Sequence, residues 1–164
     1  MEYLSGKEVR EAERWMEEAA TSARMALCRR ARCGTVIVQD SEVIGRGYNA
    51  PPCDKEEHRV CGEVFPAGKP KYDKTCCIHA EWRAIMDALT HYGDRVRGAD
   101  LYFVRVDEGG AIKKSQKPFC TVCSRLALDA GLTTFHLWHE EGVGRYETGE
   151  YNRLSYEYEH NVVE

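Results

Sequence analysis

Two short motifs in this chain place metal-ligating side chains close to an acidic residue. The first is His-Ala-Glu at 79–81, and the second is Cys-Thr-Val-Cys at 120–123. Two thiolates one helical turn apart can bind the same ion, and an imidazole supplies a third ligand. Around a tetrahedral Zn²⁺ ion, three protein ligands leave the fourth position for water. That arrangement is typical of a catalytic zinc site, whereas a structural site is closed by a fourth side chain.

Glu81 supplies the proton carrier that a zinc-bound water needs. Bound Zn²⁺ lowers the pKa of water from about 15.7 to about 7, and a nearby carboxylate can take the proton and pass it to a leaving group. Hydrolytic deamination needs both steps, because hydroxide attacks a ring carbon that carries an exocyclic amine. We therefore interpret His79, Cys120 and Cys123 as ligands of one catalytic zinc ion and Glu81 as the catalytic acid and base.

A second group of cysteines lies in residues 53–77, which show no periodic apolar pattern. An irregular stretch of this length inside a small domain needs something to hold it. A closed tetrahedron of soft ligands around a second, structural zinc ion would do so; the alternative is a loop with free thiols. We expect Cys28 and Cys33 to be half-buried beside the first strand, where either could be recruited. The candidate ligands within 53–77 are Cys53, His58, Cys61, Cys76 and Cys77.

Composition and charge narrow the class of protein. The chain has 164 residues, of which 43% are apolar and 30% charged, as expected of one domain with a core. Its formal net charge of −4 argues against a broad basic surface for duplex nucleic acid. The charged N-terminus and the lack of a long apolar run predict neither a signal peptide nor a membrane span. We therefore expect a soluble, cytoplasmic protein, in which clustered cysteines favour metal binding over disulfides.

Periodicity indicates which elements carry the two motifs. Apolar residues at three- and four-residue steps, together with glycine and proline boundaries, predict helices over 5–27, 79–92 and 120–130. Runs of β-branched and aromatic residues predict strands over 34–38, 43–48, 101–106 and 133–139. A turn at 107–110 predicts a further strand over 111–115. Strands interleaved with helices favour a mixed sheet with helices on both faces. Alternation with Leu137 and Trp138 predicts that His136 and His139 are exposed.

The paired motifs resemble the signature of the cytidine deaminase superfamily, which is His-x-Glu followed by Pro-Cys-x-x-Cys. The resemblance covers about 5–140, where the order of elements also matches. It implies an α/β fold of three α/β/α layers with a mixed five-stranded sheet. A single deaminase domain would then span 1–164, with a Cys-rich insert at 53–77 and a Tyr-rich, partly helical tail at 140–164.

The resemblance also implies residues that contact the substrate. Asn49 matches an asparagine that contacts the sugar or base, and the backbone N–H of Ala80 matches the group that holds a pyrimidine carbonyl. The chain departs from the pattern at Phe119, an extra residue between Pro118 and Cys120. We expect this ring to change the shape of the pocket or to stack on a base.

The layout is most similar to deoxycytidylate deaminases, because of the insert and the Gly-Tyr-Asn segment at 47–49. We therefore expect zinc-dependent hydrolysis of a cytosine nucleoside or nucleotide, with a dCMP-like substrate favoured, that yields ammonia and a uracil product. Lys113, Lys114 and Lys117, or the arginines within 29–32, are candidates to hold a phosphate, although a solvated face is the simpler interpretation. Family members commonly assemble, so the resemblance also implies a homo-oligomer.

Two other functions remain open. The same chemistry could act on adenine or cytosine in tRNA or single-stranded DNA, with Phe119 and the lysines of 113–117 binding an unstacked base and its backbone. A non-catalytic, zinc-stabilised interaction module is the third interpretation, against which the intact Glu81 argues.

Overall fold

The structure, a computed structural model, describes residues 1–61, 76–114 and 117–157. Its helices and strands follow the chain in this order: β1 (Glu2–Tyr3), α1 (Gly6–Arg24), β2 (Arg32–Gln39), β3 (Glu42–Tyr48), α2 (Ala80–Tyr92), β4 (Asp100–Val106), α3 (Thr121–Ala130), β5 (Thr134–Trp138), β6 (Val143–Glu147) and α4 (Thr148–Glu157). Within these ranges, no helix combines the length and the apolarity needed to cross a membrane.

One mixed sheet runs through the described residues in the order β1-β6-β5-β4-β2-β3. Strands β4 and β5 are parallel, with Leu101 opposite Phe135, and every other neighbouring pair is antiparallel. The parallel pair is joined through α3, because parallel neighbours need a crossover connection. The predicted mixed α/β fold is confirmed, but the sheet has six strands and not five. The pattern missed β1, which has only two residues, and β6, whose glycine and arginine interrupt any apolar run.

Helices cover both faces of the sheet, which gives the expected three layers. Along β2, Val36 packs against α1 on one face, while Ile37 joins a core with α2 and α3 on the other. Both faces of the central strands are therefore buried. For this reason, the alternation in β5 predicted exposure incorrectly. His136 is 3% exposed and stacks on Tyr102 with 4.2 Å between ring centroids. His139 is half-buried, and its Nε2 lies 2.8 Å from the Tyr146 hydroxyl.

Helix α2 lies directly on β3 because two glycines of β3 face it. A Cβ atom at Gly47 would lie 2.1 Å from the carbonyl oxygen of Ala80, and one at Gly45 would lie 2.4 Å from that of Ala84. Any side chain at either position would therefore collide with the helix backbone. This close contact fixes the first turn of α2, which carries Glu81, against the sheet.

Two predicted segments end differently in the structure. Helix α1 ends at Arg24 and not at 27, and the N–H groups of Leu27 and Cys28 both donate to the carbonyl oxygen of Asn49. The strand predicted over 111–115 is reduced to a single bridge between Val106 and Ile112, and residue 115 lies outside the described residues. The helix expected in the tail is α4; residues 158–164 also lie outside the described residues.

Candidate active site

The two motifs meet where α2 and α3 begin. His79 precedes α2 in extended conformation, and Cys120 precedes α3 and accepts a hydrogen bond from the backbone N–H of Cys123 at 3.3 Å. The Nδ1 atom of His79 lies 3.1 Å from Sγ of Cys123 and 3.4 Å from Sγ of Cys120. All three ligand atoms lie within 4.8 Å of one another. We call these three residues the catalytic cluster.

The catalytic cluster has the charge and the donor set that a zinc ion needs. Hydrogen bonds with Cys123 and His79 lower the pKa of Cys120 to about 4, against the opposing effect of burial. The hydrogen bond with Cys120 raises the pKa of His79 to about 9. The positive ends of the α2 and α3 dipoles also favour thiolate here. One nitrogen and two sulfur donors, with at least one sulfur ionised at neutral pH, fit Zn²⁺.

Glu81 lies beside this cluster, as the second residue of α2. Its side chain is 5% exposed, and burial raises its pKa above the ordinary value. Its carboxyl interacts with Cys123, and in the part of the chain that the structure describes it has no lysine or arginine within ion-pairing distance. A buried carboxyl with a raised pKa, next to a metal-ligating group, suits proton transfer.

A cavity of about 570 Å³ opens over the catalytic cluster and Glu81. This volume falls within the usual range for small-molecule sites. Cys123 lies behind the wall and is fully buried. The residues that line the cavity are Ala31, Cys33, Asn49, His79, Ala80, Glu81, Phe103, Arg105, Lys113, Lys117, Phe119, Cys120 and Tyr151.

The three residues expected to contact substrate all lie in this wall. Asn49 is 8% exposed, and its side chain accepts from the N–H of Cys33 and donates to the carbonyl of Ala31, each at 2.8 Å. These two bonds fix the orientation of the amide. Ala80 begins α2, so its N–H is one of the helix donors without an intrahelical acceptor. The Phe119 ring is exposed.

The sequence patterns did not indicate several of the residues that line the cavity. Alternation along β4 places Phe103 and Arg105 on the same face, and this pattern could have identified Arg105. Cys33 was expected to be half-buried, as it is, but not to line the cavity; burial raises the pKa of its thiol to about 12. The tyrosines of the tail could be expected to pack on the core or to cover the site, but the sequence does not single out Tyr151, which reaches the cavity from α4.

The second group of cysteines converges in part. The Sγ atoms of Cys61, Cys76 and Cys77 lie within 4.8 Å of one another. The backbone N–H of Val60 donates to Sγ of Cys76 at 3.2 Å. Burial raises the pKa of Cys77, and a hydrogen bond with Cys28 raises it further, so Cys28 lies against this group. We call the four cysteines the loop cluster.

Two of the candidate ligands for a second zinc ion lie outside the loop cluster. Cys53 and His58 are exposed, on short 3₁₀ turns at Pro52–Asp54 and Glu56–His58. The Nε2 atom of His58 lies 3.8 Å from a carboxylate oxygen of Glu57. Residues 62–75 of the insert lie outside the described residues.

Comparison with known proteins places the chain among zinc-dependent deaminases. Residues 9–137 match the family profile described as the cytidine and deoxycytidylate deaminase zinc-binding region. The chain is 31% identical to a deoxycytidylate deaminase of Mycobacterium phage D29 over 123 residues, which is 70% of this chain and 83% of the relative. It is 33% identical to a deoxycytidylate deaminase of Schizosaccharomyces pombe over 79 residues, which is 45% of this chain but only 24% of that relative.

Solved structures agree on the fold. The dCMP deaminase of cyanophage S-TIM5, in complex with dCMP and dUMP, aligns with a TM-score of 0.55 and 19% identity over 80% of this chain and 82% of its own. The cytidine deaminase of Burkholderia pseudomallei aligns with a TM-score of 0.56 and 17% identity over 85% of this chain and 94% of its own.

Proposed function

The chain belongs to the cytidine and deoxycytidylate deaminase family, and on that basis we propose that it hydrolyses the exocyclic amine of a cytosine nucleotide, with dCMP favoured. One observation carries the proposal: a His/Cys/Cys group, a buried Glu81 and a cavity of nucleotide size lie together. His79, Cys120 and Cys123 would hold Zn²⁺, and the ion would supply a water molecule that ionises near neutral pH.

Glu81 moves the protons. One carboxylate oxygen takes a proton from the attacking water and delivers it to the ring nitrogen next to the reacting carbon. A second transfer goes to the exocyclic nitrogen, which leaves as ammonia. Burial raises the pKa of Glu81, so its carboxylate is a stronger base and takes the proton from the attacking water more readily.

The cavity wall holds the base and the sugar. The N–H of Ala80 donates to the pyrimidine carbonyl oxygen. The amide of Asn49, held by two backbone hydrogen bonds, keeps one N–H and one lone pair for a sugar hydroxyl. The exposed ring of Phe119 packs against the substrate at the open side of the cavity.

Three basic residues favour a nucleotide over a nucleoside. Arg105, Lys113 and Lys117 all line the cavity, and together they suit a phosphate dianion. Lys114, another basic candidate, lies over the Trp138 ring, 4.7 Å from its centroid. The dCMP and dUMP bound to the cyanophage enzyme support the same substrate class.

Ammonia release tests the substrate. We expect the highest kcat/KM with dCMP, followed by deoxycytidine and free cytosine. Lys113→Ala should raise the KM for dCMP about tenfold, because a charge-assisted contact is lost, and should leave deoxycytidine unaffected. Lys114→Ala is the matched control, since that side chain points to Trp138.

Other substrates in the same assay separate the remaining functions. Preferred turnover of single-stranded oligonucleotides, with binding that weakens steeply as salt is raised, would replace the nucleotide with a polynucleotide. Zinc-loaded protein that releases ammonia from no substrate would contradict the deaminase function and favour an interaction module.

We also propose that the loop cluster holds a second, structural zinc ion. Three of its sulfur atoms already lie within 4.8 Å of one another, and Cys28, which interacts with Cys77, would supply the fourth ligand that closes the tetrahedron. The N–H of Val60 on Cys76 resembles the outer hydrogen bonds that orient metal ligands. Metal analysis of the purified chain should find two zinc ions; a single ion would contradict the proposal.

The chain is further proposed to form a homo-oligomer. The outer surfaces of α2 and α3 carry the exposed apolar side chains Met86, Leu89, Val122 and Leu128, and burying them against another copy would be favourable. Light scattering of the purified protein measures its assembly state, and a monomer at micromolar concentration would contradict this proposal.

A further inference from the structure

Helix α4 brings a tyrosine into the wall of the catalytic cavity. The side chain of Tyr151 is 3% exposed and lines the cavity together with Glu81 and Cys120. Its ring stacks on Phe135 with 4.1 Å between centroids and meets the ring of Tyr146 edge-on at 5.9 Å. These two aromatic contacts restrict the ring, so the hydroxyl is held in a defined position.

The hydroxyl oxygen of Tyr151 accepts a hydrogen bond from the backbone N–H of Phe119 at 3.4 Å. Phe119 is the extra residue between Pro118 and Cys120, where the family signature has none. The inserted backbone N–H therefore has an acceptor from outside the motif. This contact joins α4 to the segment that leads into the catalytic cluster.

The hydroxyl of Tyr151 also has a proton to donate. Burial, and then the negative charge of Glu81, raise the pKa of this phenol well above its ordinary value, so it stays protonated at neutral pH. An oxygen that accepts from Phe119 must direct its own O–H elsewhere. Across residues 1–61, 76–114 and 117–157, the contacts of Tyr151 include no acceptor for that proton. A buried donor without a protein acceptor is costly unless a ligand satisfies it.

We propose that Tyr151 is a catalytic residue that donates a hydrogen bond to the exocyclic nitrogen of the substrate. This inference rests on the proposed deaminase function. In the intact base, the lone pair of that nitrogen is delocalised into the ring and accepts hydrogen bonds poorly. Once the ring carbon is attacked and becomes tetrahedral, the lone pair localises and becomes a good acceptor. The O–H of Tyr151 then stabilises the leaving amine while Glu81 transfers the proton that completes ammonia, and Tyr151 itself keeps its proton.

A contact made only after attack has a kinetic signature. It should lower the barrier to the chemical step without tightening substrate binding, so its loss should reduce kcat and leave KM unchanged. A purely structural role for Tyr151, as an anchor of Phe119, would instead disturb Cys120 and so reduce zinc content.

Tyr151→Phe tests the inference, because it removes one oxygen and keeps the ring that packs on Phe135. We expect kcat for dCMP to fall at least about tenfold, with KM within about twofold and zinc content at the parental level. The matched control is Tyr146→Phe. This substitution also removes a tyrosine hydroxyl from the aromatic cluster around Tyr151, but that hydroxyl bonds His139 and does not line the cavity. This control should keep the parental kcat.

Each other outcome overturns the inference. Parental kcat and KM in Tyr151→Phe, or a loss of kcat that only matches a loss of zinc, would do so while the deaminase function stands. A raised KM with unchanged kcat would make the contact one of ground-state binding and contradict the proposed timing. If the parent itself releases no ammonia from any nucleoside, nucleotide or oligonucleotide, the proposed function fails and this inference fails with it.

Discussion

The catalytic cluster and the loop cluster are built from similar ligands on different supports. The residues of the catalytic cluster lie at the first turns of α2 and α3, and α2 is pressed on β3. The four cysteines of the loop cluster all lie outside helices and strands. A reactive site needs ligands held by rigid elements, whereas a tethering site can use the metal itself to order loops. The difference teaches that the support, as well as the ligands, separates the two roles that we propose.

The two clusters also differ in the number of ligands and in the groups that lie next to them. The catalytic cluster offers three ligands and has Glu81 and a cavity next to it. The loop cluster has three thiols within 4.8 Å of one another and, in our proposal, Cys28 as a fourth ligand that would close a tetrahedron. We therefore expect substitutions in the first region to abolish turnover and substitutions in the second to reduce stability.

Glu81→Gln should cause the largest loss of kcat without changing any proposed zinc ligand. Loss of the proton carrier should lower kcat by roughly 10³-fold, while zinc content stays at the parental level because no ligand has changed. Single-turnover ammonia release and metal analysis measure both quantities. Glu57→Gln, which alters an exposed glutamate, is the control. Parental turnover in Glu81→Gln would contradict the acid–base role of Glu81. The catalytic cluster would then differ from the loop cluster in no catalytic property tested by this variant.

Paired ligand substitutions compare the clusters directly. Cys123→Ala should remove one zinc ion together with all measurable turnover, since the activated water is lost. Cys76→Ser should also remove one zinc ion, but kcat per folded molecule should stay within about threefold and Tm should fall by about 5–10 °C, or roughly 2–3 kcal/mol in a chain of this size. Calorimetry and metal analysis check both variants. If Cys76→Ser abolished turnover while Tm held, the assignment of roles would be reversed.

Cys53→Ser and His58→Ala should have the smallest effects. Both side chains are exposed and lie outside the loop cluster, so zinc content should not change and stability should stay within about 0.5 kcal/mol of the parent. Loss of a zinc ion in either variant would show that the ligand set extends along the insert.

The contrast also explains how much of each site the sequence could predict. The His-Ala-Glu and Cys-Thr-Val-Cys motifs are local, so spacing alone indicated His79, Cys120 and Cys123 as candidate ligands, and the structure brings the three together. The loop cluster depends on how distant segments fold back. The number of cysteines in the insert indicated the group. It could not distinguish Cys61, which joins the loop cluster, from the exposed Cys53, and it did not indicate that Cys28 lies beside Cys77.

Long-range placement accounts for the remaining errors. Tyr151 reaches the cavity because β6 turns α4 back over α3, and β6 has no apolar run that would have predicted it. His136 is buried because both faces of β5 are covered. The alternation of residue types within one strand cannot predict whether a second layer covers its outer face. In each case the deciding contact comes from an element far away in the sequence.

The two glycines of β3 limit how this protein could be redesigned. Gly45 and Gly47 face helix backbone at distances that no side chain can occupy, so a mutant library there would displace α2 and His79 with it. Arg105, Lys113 and Phe119 already carry side chains that line the cavity. Altered substrate preference should therefore be sought by diversifying those three positions while β3 is left as it is.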